Sequence, residues 1–270
     1  NCDLVTLDGC LVEDNSSNGS GGAFYAKYVD QLIVNDCVFK RNELFAVSGL
    51  PNGGALSIKD SCQSVITNSI FEENIAGTSG GAISTFSVSH ITNCLFQGNS
   101  AAFGGALDVW GIGNNGNMIV NCTFADNDAP QGTSLLVDGA TALLANSILW
   151  EEDTSSMVSL ISELPLSVEL EVKYSDIRGG PSSITTTLPS SLVWGDGNIN
   201  QDPMFVDAGN HDYHLSWESP CIEGGDPDPS GYNLPLTDLD GSPRIVNAMV
   251  DLGCYEYQYP VIIPQKEMLS

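Results

Sequence analysis

Thirty-four Asp and Glu against eight Lys and Arg give this 270-residue chain a formal charge of −26, a field that repels nucleic-acid phosphates and anionic headgroups and excludes both as partners. With 42% hydrophobic and 16% charged residues it is a folded chain rather than a disordered one, and without a run of 18 apolar residues it offers no membrane-spanning helix. Eight Cys with no Cys-x-x-Cys or paired Cys/His spacing argue against zinc and for an oxidising, extracellular setting.

The chain opens "NCDLVTLDGC", with neither Met nor a signal segment, as expected of a mature or trimmed export product. A repeat starts at once. An apolar residue recurs at Val12, Phe39, Phe71, Phe96, Phe124 and Leu149, with Ile177 a weaker seventh, at intervals of 25 to 32 residues. Asn follows three positions after each of the first five, as Asn15, Asn42, Asn74, Asn99 and Asn127. Three positions before stands a second polar column, Asp36, Asn68, Asn93, Asn121 and Asn146, followed by small residues at Cys10, Cys37, Ser69, Cys94, Cys122, Ser147 and Ser175. Gly-Gly-Ala recurs at 21–23, 53–55, 80–82 and 104–106 and decays to Gly-Thr-Ser at 132–134.

Short apolar alternations such as "ALSI", "AISTF" and "ALDV", divided by Gly, Asn and Asp, predict strands and turns rather than helices. One such unit cannot bury its own apolar face, but units stacked in register share a continuous core and pair every edge except the terminal two. The expected fold is a parallel β-helix with like residues about 4.8 Å apart. Phe39, Phe71, Phe96 and Phe124 then form an interior aromatic stack. The Asn columns form ladders at tight turns, where Asn tolerates the left-handed backbone. Each Gly-Gly supplies a corner that a side chain would obstruct. The series of Phe-x-x-Asn followed by Gly-Gly-Ala-Ile resembles the right-handed parallel β-helix superfamily, including the polymorphic outer-membrane protein repeats of bacteria, over residues 2 to about 178. That resemblance implies an all-β, right-handed parallel β-helix of about six to seven coils in a secreted or cell-surface protein.

After residue 178 the period stops, and "YSDIRGG", "GNINQDPMFVD", "DYHLSWESPCIEGGD", "TDLDGSPRIV" and "VDLGCYEY" follow. Their order resembles the end of bacterial secreted choice-of-anchor β-helix proteins, over roughly residues 174 to 257. The implied organisation is repeats over 1–178, a capping segment over 179–258 covering the last rung, and a tail over 259–270. Cys221 and Cys254, in two of the capping motifs, are expected to be bridged. Cys10 with Cys37 and Cys94 with Cys122 fall in adjacent rungs, as free thiols or as bridges. The first rung has no corresponding cover, which leaves room for upstream chain or for stacking on another subunit. The tail's "PVII" is suited to strand donation.

Chemistry is sparsely supplied. A uronate lyase needs basic side chains around a substrate carboxylate, and the eight cations are scattered. A glycosidase needs convergent carboxylates, for which Glu13, Asp14, Glu72, Glu73, Asp126, Glu151 and Glu152 are the candidate cluster, though a solvated acidic edge is the reading preferred for them. His90, His211 and His214 are dispersed, and no catalytic residue is assigned. If the strand after Gly-Gly-Ala turns Phe24, Leu56, Ile83 and Leu107 inward, then Tyr25, Ser57, Ser84 and Asp108 face out, with Lys27, Lys59, Phe86 and Trp110 two positions on. Tyr25, Phe86 and Trp110 are the expected shelf for sugar rings. Asp226, Asp228, Asp238 and Asp240 are the candidate ligands for a structural calcium ion, in turns where Asp also serves its own backbone. No cofactor is required. The sequence reading is a structural or adhesive surface protein, self-associating end to end, with a carbohydrate-active enzyme or glycan-binding module as the alternative.

Overall fold

The computed structural model describes residues 2–45, 52–59, 62–152, 154–162, 168–187 and 189–260, apart from the side chains of 112–115. Over these residues the chain is a parallel β-solenoid of about six turns, with three short 3-10 turns and no α-helix. A narrow seven-stranded sheet stacks Leu11–Glu13, Val38–Lys40, Ile70–Glu72, Leu95–Gln97, Thr123–Ala125, Ile148–Trp150 and Asp176–Ile177 in chain order. Its register sets Val12 on Phe39, then Phe71, Phe96, Phe124, Leu149 and Ile177. The four Phe rings stack at 5.1, 5.0 and 4.7 Å, within 8° of parallel, and all four are fully buried. The remaining two faces form one thirteen-stranded sheet, because Leu107–Val120 and Leu135–Ala145 run unbroken through the bend between them.

Local chemistry makes the corners. Gly9, Asp36, Asn68, Asn93, Asn121, Asn146, Tyr174 and Gly197 form a file of left-handed residues, the conformation that Asn, Asp and Gly adopt most readily. The next residue must be small because its side chain receives a backbone N–H from the rung before. Cys10 donates to Cys37, Cys37 to Ser69, Cys122 to Ser147, Ser147 to Ser175 and Ser175 to Asn198 in this way. In Gly-Gly-Ala the first Gly has a positive φ, as at Gly80 (+66°). The second lies so close to the next rung that a Cβ on Gly81 would stand 2.0 Å from the Gly105 carbonyl oxygen.

Three expectations are corrected here. The coil continues past residue 178: Val168–Lys173 pairs with Ser190–Trp194, Val158–Ile161 with Ile184–Thr186, and Asp176 bridges to Ile199. The last coil escapes the sequence pattern because it has lost both the aromatic and the Asn. The C-terminal segment is a strap along the side of the solenoid, not a lid on its end. Its Tyr213 and Cys254 bury Leu95 and Ala125, its Leu215, Cys221 and Leu252 bury Ile148, and its Tyr232 covers Val120 and Ala145. Among the described residues the terminal strands Ile184–Thr186 and Ser190–Trp194 each have a neighbour on one side only. Finally, all eight cysteines are free thiols. Cys221 donates to the Asp176 carboxylate at 3.3 Å, while Cys254 packs in a different apolar cluster, so the expected bridge between them does not form. The "PVII" strand and the 259–270 tail lie, from residue 261 on, outside the described residues.

Candidate functional site

The Asn file is a hydrogen-bonded ladder with a direction. The backbone N–H and Nδ2 of Asn15 both donate to Oδ1 of Asn42, and the same pair of bonds links Asn42 to Asn74, Asn74 to Asn99 and Asn99 to Asn127. The second Nδ2 hydrogen of Asn42, Asn74, Asn99 and Asn127 reaches back to the carbonyl of Val12, Phe39, Phe71 and Phe96. The ladder residues are not themselves left-handed. The residue before each one is: Asp14, Arg41, Glu73, Gly98 and Asp126.

Glu151 ends the ladder. Its carboxylate accepts the backbone N–H and Nδ2 of Asn127, both at 2.9 Å, and the Ser134 hydroxyl at 2.7 Å. Fully buried, it has a pKa pushed by desolvation up to about 7. The expected acidic cluster is therefore dispersed. Glu13 and Asp14 pair with Arg41, Glu72 with Lys40, and Asp126 accepts the Tyr213 hydroxyl. Glu151 leaves the solvated edge altogether.

On the large sheet, Lys27 registers with Lys59 and Trp110 with Asp138. Phe86 lies between these pairs, one residue beyond the Thr85 that aligns Ile58 with Val109. Phe86 and Trp110 meet at 4.6 Å with a 56° tilt, and the Lys59 ammonium sits 4.5 Å above the Phe86 ring. Tyr25 does not join this shelf. It registers with Ser57, in the neighbouring outward file that continues through Ser84 and Asp108. That file is covered rather than open: Ser57, Ser84 and Asp108 are all buried. Asp108 accepts the hydroxyls of Ser79 and Ser84 on one oxygen, its other oxygen has no partner, and desolvation raises its pKa to about 6.

The four aspartates considered for calcium serve turns. Asp226 accepts the Tyr232 hydroxyl and the Asp228 N–H, and Asp228 accepts from Ser230. Asp238 accepts the N–H groups of Asp240, Ser242 and Glu256, and Asp240 holds His214. Among the described residues no group of three or more His, Cys, Asp or Glu is arranged to hold a metal. His214 bridges Asp212 and Asp240 at 2.5 and 2.6 Å and stacks on Tyr255. Burial opposes its charge, but the bonds to the two aspartates outweigh it and raise its pKa.

Sequence reasoning missed two buried groups. Arg244 donates to Asn93 Oδ1 and to the Gly253 carbonyl, anchoring the strap. Glu151 was readable only from a joint change, Ser134 where earlier units have Ala and no Asn three residues after Leu149.

A family model described as the Chlamydia polymorphic membrane protein repeat matches residues 9–27 and 68–85. Each matched stretch runs from a narrow strand through Gly-Gly-Ala into the large sheet. With the solenoid, this fits a repeat protein of the polymorphic-membrane-protein type. The metabotropic glutamate receptor-like protein R of Dictyostelium discoideum is 27% identical over 152 residues, covering 56% of this chain and 9% of that relative. The chain thus matches a small part of that protein's length. No solved structure matches.

Proposed function

We propose that the chain is a structural solenoid displayed at a cell surface and assembled end to end with further copies of itself. The repeat match supports the surface setting. One observation carries the assembly: among the described residues the last coil's strands Ile184–Thr186 and Ser190–Trp194 pair on one side only, although the chain runs on past them to residue 260. Val5, Leu7, Val12 and Phe24 are in register with Leu32, Val34, Phe39 and Leu56. The latter four are fully buried, whereas the former are only partly so. Among the described residues nothing donates to Asn15 Oδ1, although Oδ1 of each later ladder Asn accepts two N–H groups. An open, flat strand row is a template for another chain. A second copy's last coil has the complementary open edges at Ile184–Thr186 and Ser190–Trp194.

The charge of −26 per copy opposes stacking until salt screens it. Sedimentation velocity and negative-stain microscopy over a salt series test this reading. Assembly that grows with salt and protein concentration, and that Leu7→Glu abolishes, is the expected result. Monomers at every salt and concentration would rule it out.

A further inference from the structure

We propose that the outer corner of the first three coils, those of Val12, Phe39 and Phe71, is a docking site for a segment of another protein in which Lys or Arg alternates with apolar residues. The proposal does not depend on end-to-end assembly. It starts from how the strap is seated. On the narrow sheet the strap buries Leu95 and Ile148, and on the large sheet its Tyr232 and Leu234 cluster with Met118 and Leu143. Between these two outward files lies the left-handed turn, where Asn93, Asn121 and Asn146 bond to the strap's backbone. The Arg244 guanidinium donates to Asn93 Oδ1 at the same corner.

Both files continue past the strap toward the first coil. Leu95 registers with Ile70, then Val38 and Leu11, and Met118 with His90, then Val65 and Ile33. Leu11 is 63% exposed, and Val38, Ile70, Ile33 and Val65 are half-buried. Apolar side chains on the outer face of a sheet mark a surface that something covers, and over the later coils that cover is the strap. Charge selects the occupant of the earlier ones. Where Asn93 takes Arg244, the same turn two coils earlier carries an exposed carboxylate, Asp36, with Asp8 beside it. Asn35 Nδ2 donates to one oxygen of each, and among the described residues neither acid pairs with a cation. Lys40 and Arg41 are held by Glu72, Glu13 and Asp14. A second copy, at −26, brings the wrong sign, whereas a basic segment supplies what Arg244 supplies at Asn93.

The test is fluorescence anisotropy of a labelled peptide of five Val-Arg repeats, titrated with the whole chain at low ionic strength. Peptides of Ser-Arg and of Val-Glu repeats are the counterparts. Saturable binding of the Val-Arg peptide is expected, with the Ser-Arg peptide weaker and the Val-Glu peptide unbound. Leu11→Ser should weaken the Val-Arg peptide roughly tenfold and Asp36→Asn roughly threefold. Glu169→Gln removes the same charge from an exposed residue toward the other end of the solenoid and should bind as the parent does. Circular dichroism confirms that each variant is folded. No binding of the Val-Arg peptide overturns the proposal. Equal binding of the Ser-Arg peptide, or equal losses in Asp36→Asn and Glu169→Gln, would show diffuse charge attraction and overturn it too. Self-association that Leu11→Ser abolishes, without peptide binding, would assign the corner to a second copy instead.

Discussion

Glu151 does with one side chain what the next Asn and its coil do elsewhere, closing a run of amide donors that otherwise end unpaired in a dry core. Its folded pKa of about 7 lies above the ordinary 4.5, so the native protein holds a proton that the unfolded chain has released. That stabilisation is complete below about pH 4.5 and fades as pH climbs through 7. Glu151→Gln forfeits an acceptor, with an expected cost of about 1–3 kcal/mol at pH 5. The cost should shrink by pH 8, as read by urea unfolding at both values. Phe96 is sandwiched between Phe71 and Phe124 with nothing flexible to refill its place, so Phe96→Ala is expected to lose about 3–5 kcal/mol in the same assay. The Phe and Asn files were legible because each recurs at the same offset. Glu151 was hidden because the sixth unit drops the left-handed residue seen at Asp126, which shifts the partner of Asn127 by one position.

Coil and strap obey different rules. Stacking depends on backbone contact at the second Gly of each pair, whereas Gly98 has a positive φ but its nearest neighbour, a Glu73 side-chain carbon, would lie 3.5 Å from a Cβ. Gly98→Ala should cost about 1–2 kcal/mol from its backbone alone, and Gly81→Ala at least ~3 kcal/mol, since two main chains would have to part. Thermal melts of the two variants separate these outcomes. The strap is held by Arg244, whose loss takes a donor from the buried Asn93 Oδ1 and from the Gly253 carbonyl. Arg244→Ala is expected to cost about 1–3 kcal/mol and to open residues 200–260 to protease while the solenoid keeps its β signal in circular dichroism. The coils were legible from their period. The strap's seat was not, because Asn93, Asn121 and Asn146 are already explained by their turns, and their further bonds to the Thr237 carbonyl, the Asp251 and Gly253 carbonyls and the Asp226 N–H leave no trace in spacing. A trace did exist in the narrow strands. Leu95 and Ile148 are apolar on the outward side as well, the mark of a sheet covered on both faces.

For the whole molecule the buried acids act together. Desolvation raises Asp108 and Asp176 to about 6, Glu151 to about 7 and Glu256 to about 8. His214 is also raised, and each of these contributions is lost as pH rises through the folded value. Asp14, Asp212, Glu223 and Asp228 are lowered and lose their contribution only in stronger acid. The melting temperature should therefore rise as pH falls from 8 to about 5 and drop below about 4, with roughly 2–4 °C for each kcal/mol gained. The opposite trend between pH 8 and 5 would show that the buried carboxyls are not desolvated. The claim beneath all of these is that like side chains of successive coils lie directly over one another. A NOESY spectrum of protein protonated only at Phe rings tests it most directly. Cross-peaks linking Phe39 to Phe71, Phe71 to Phe96 and Phe96 to Phe124 are expected, with the last two absent in Phe96→Ala. A spectrum without ring-to-ring peaks would contradict it.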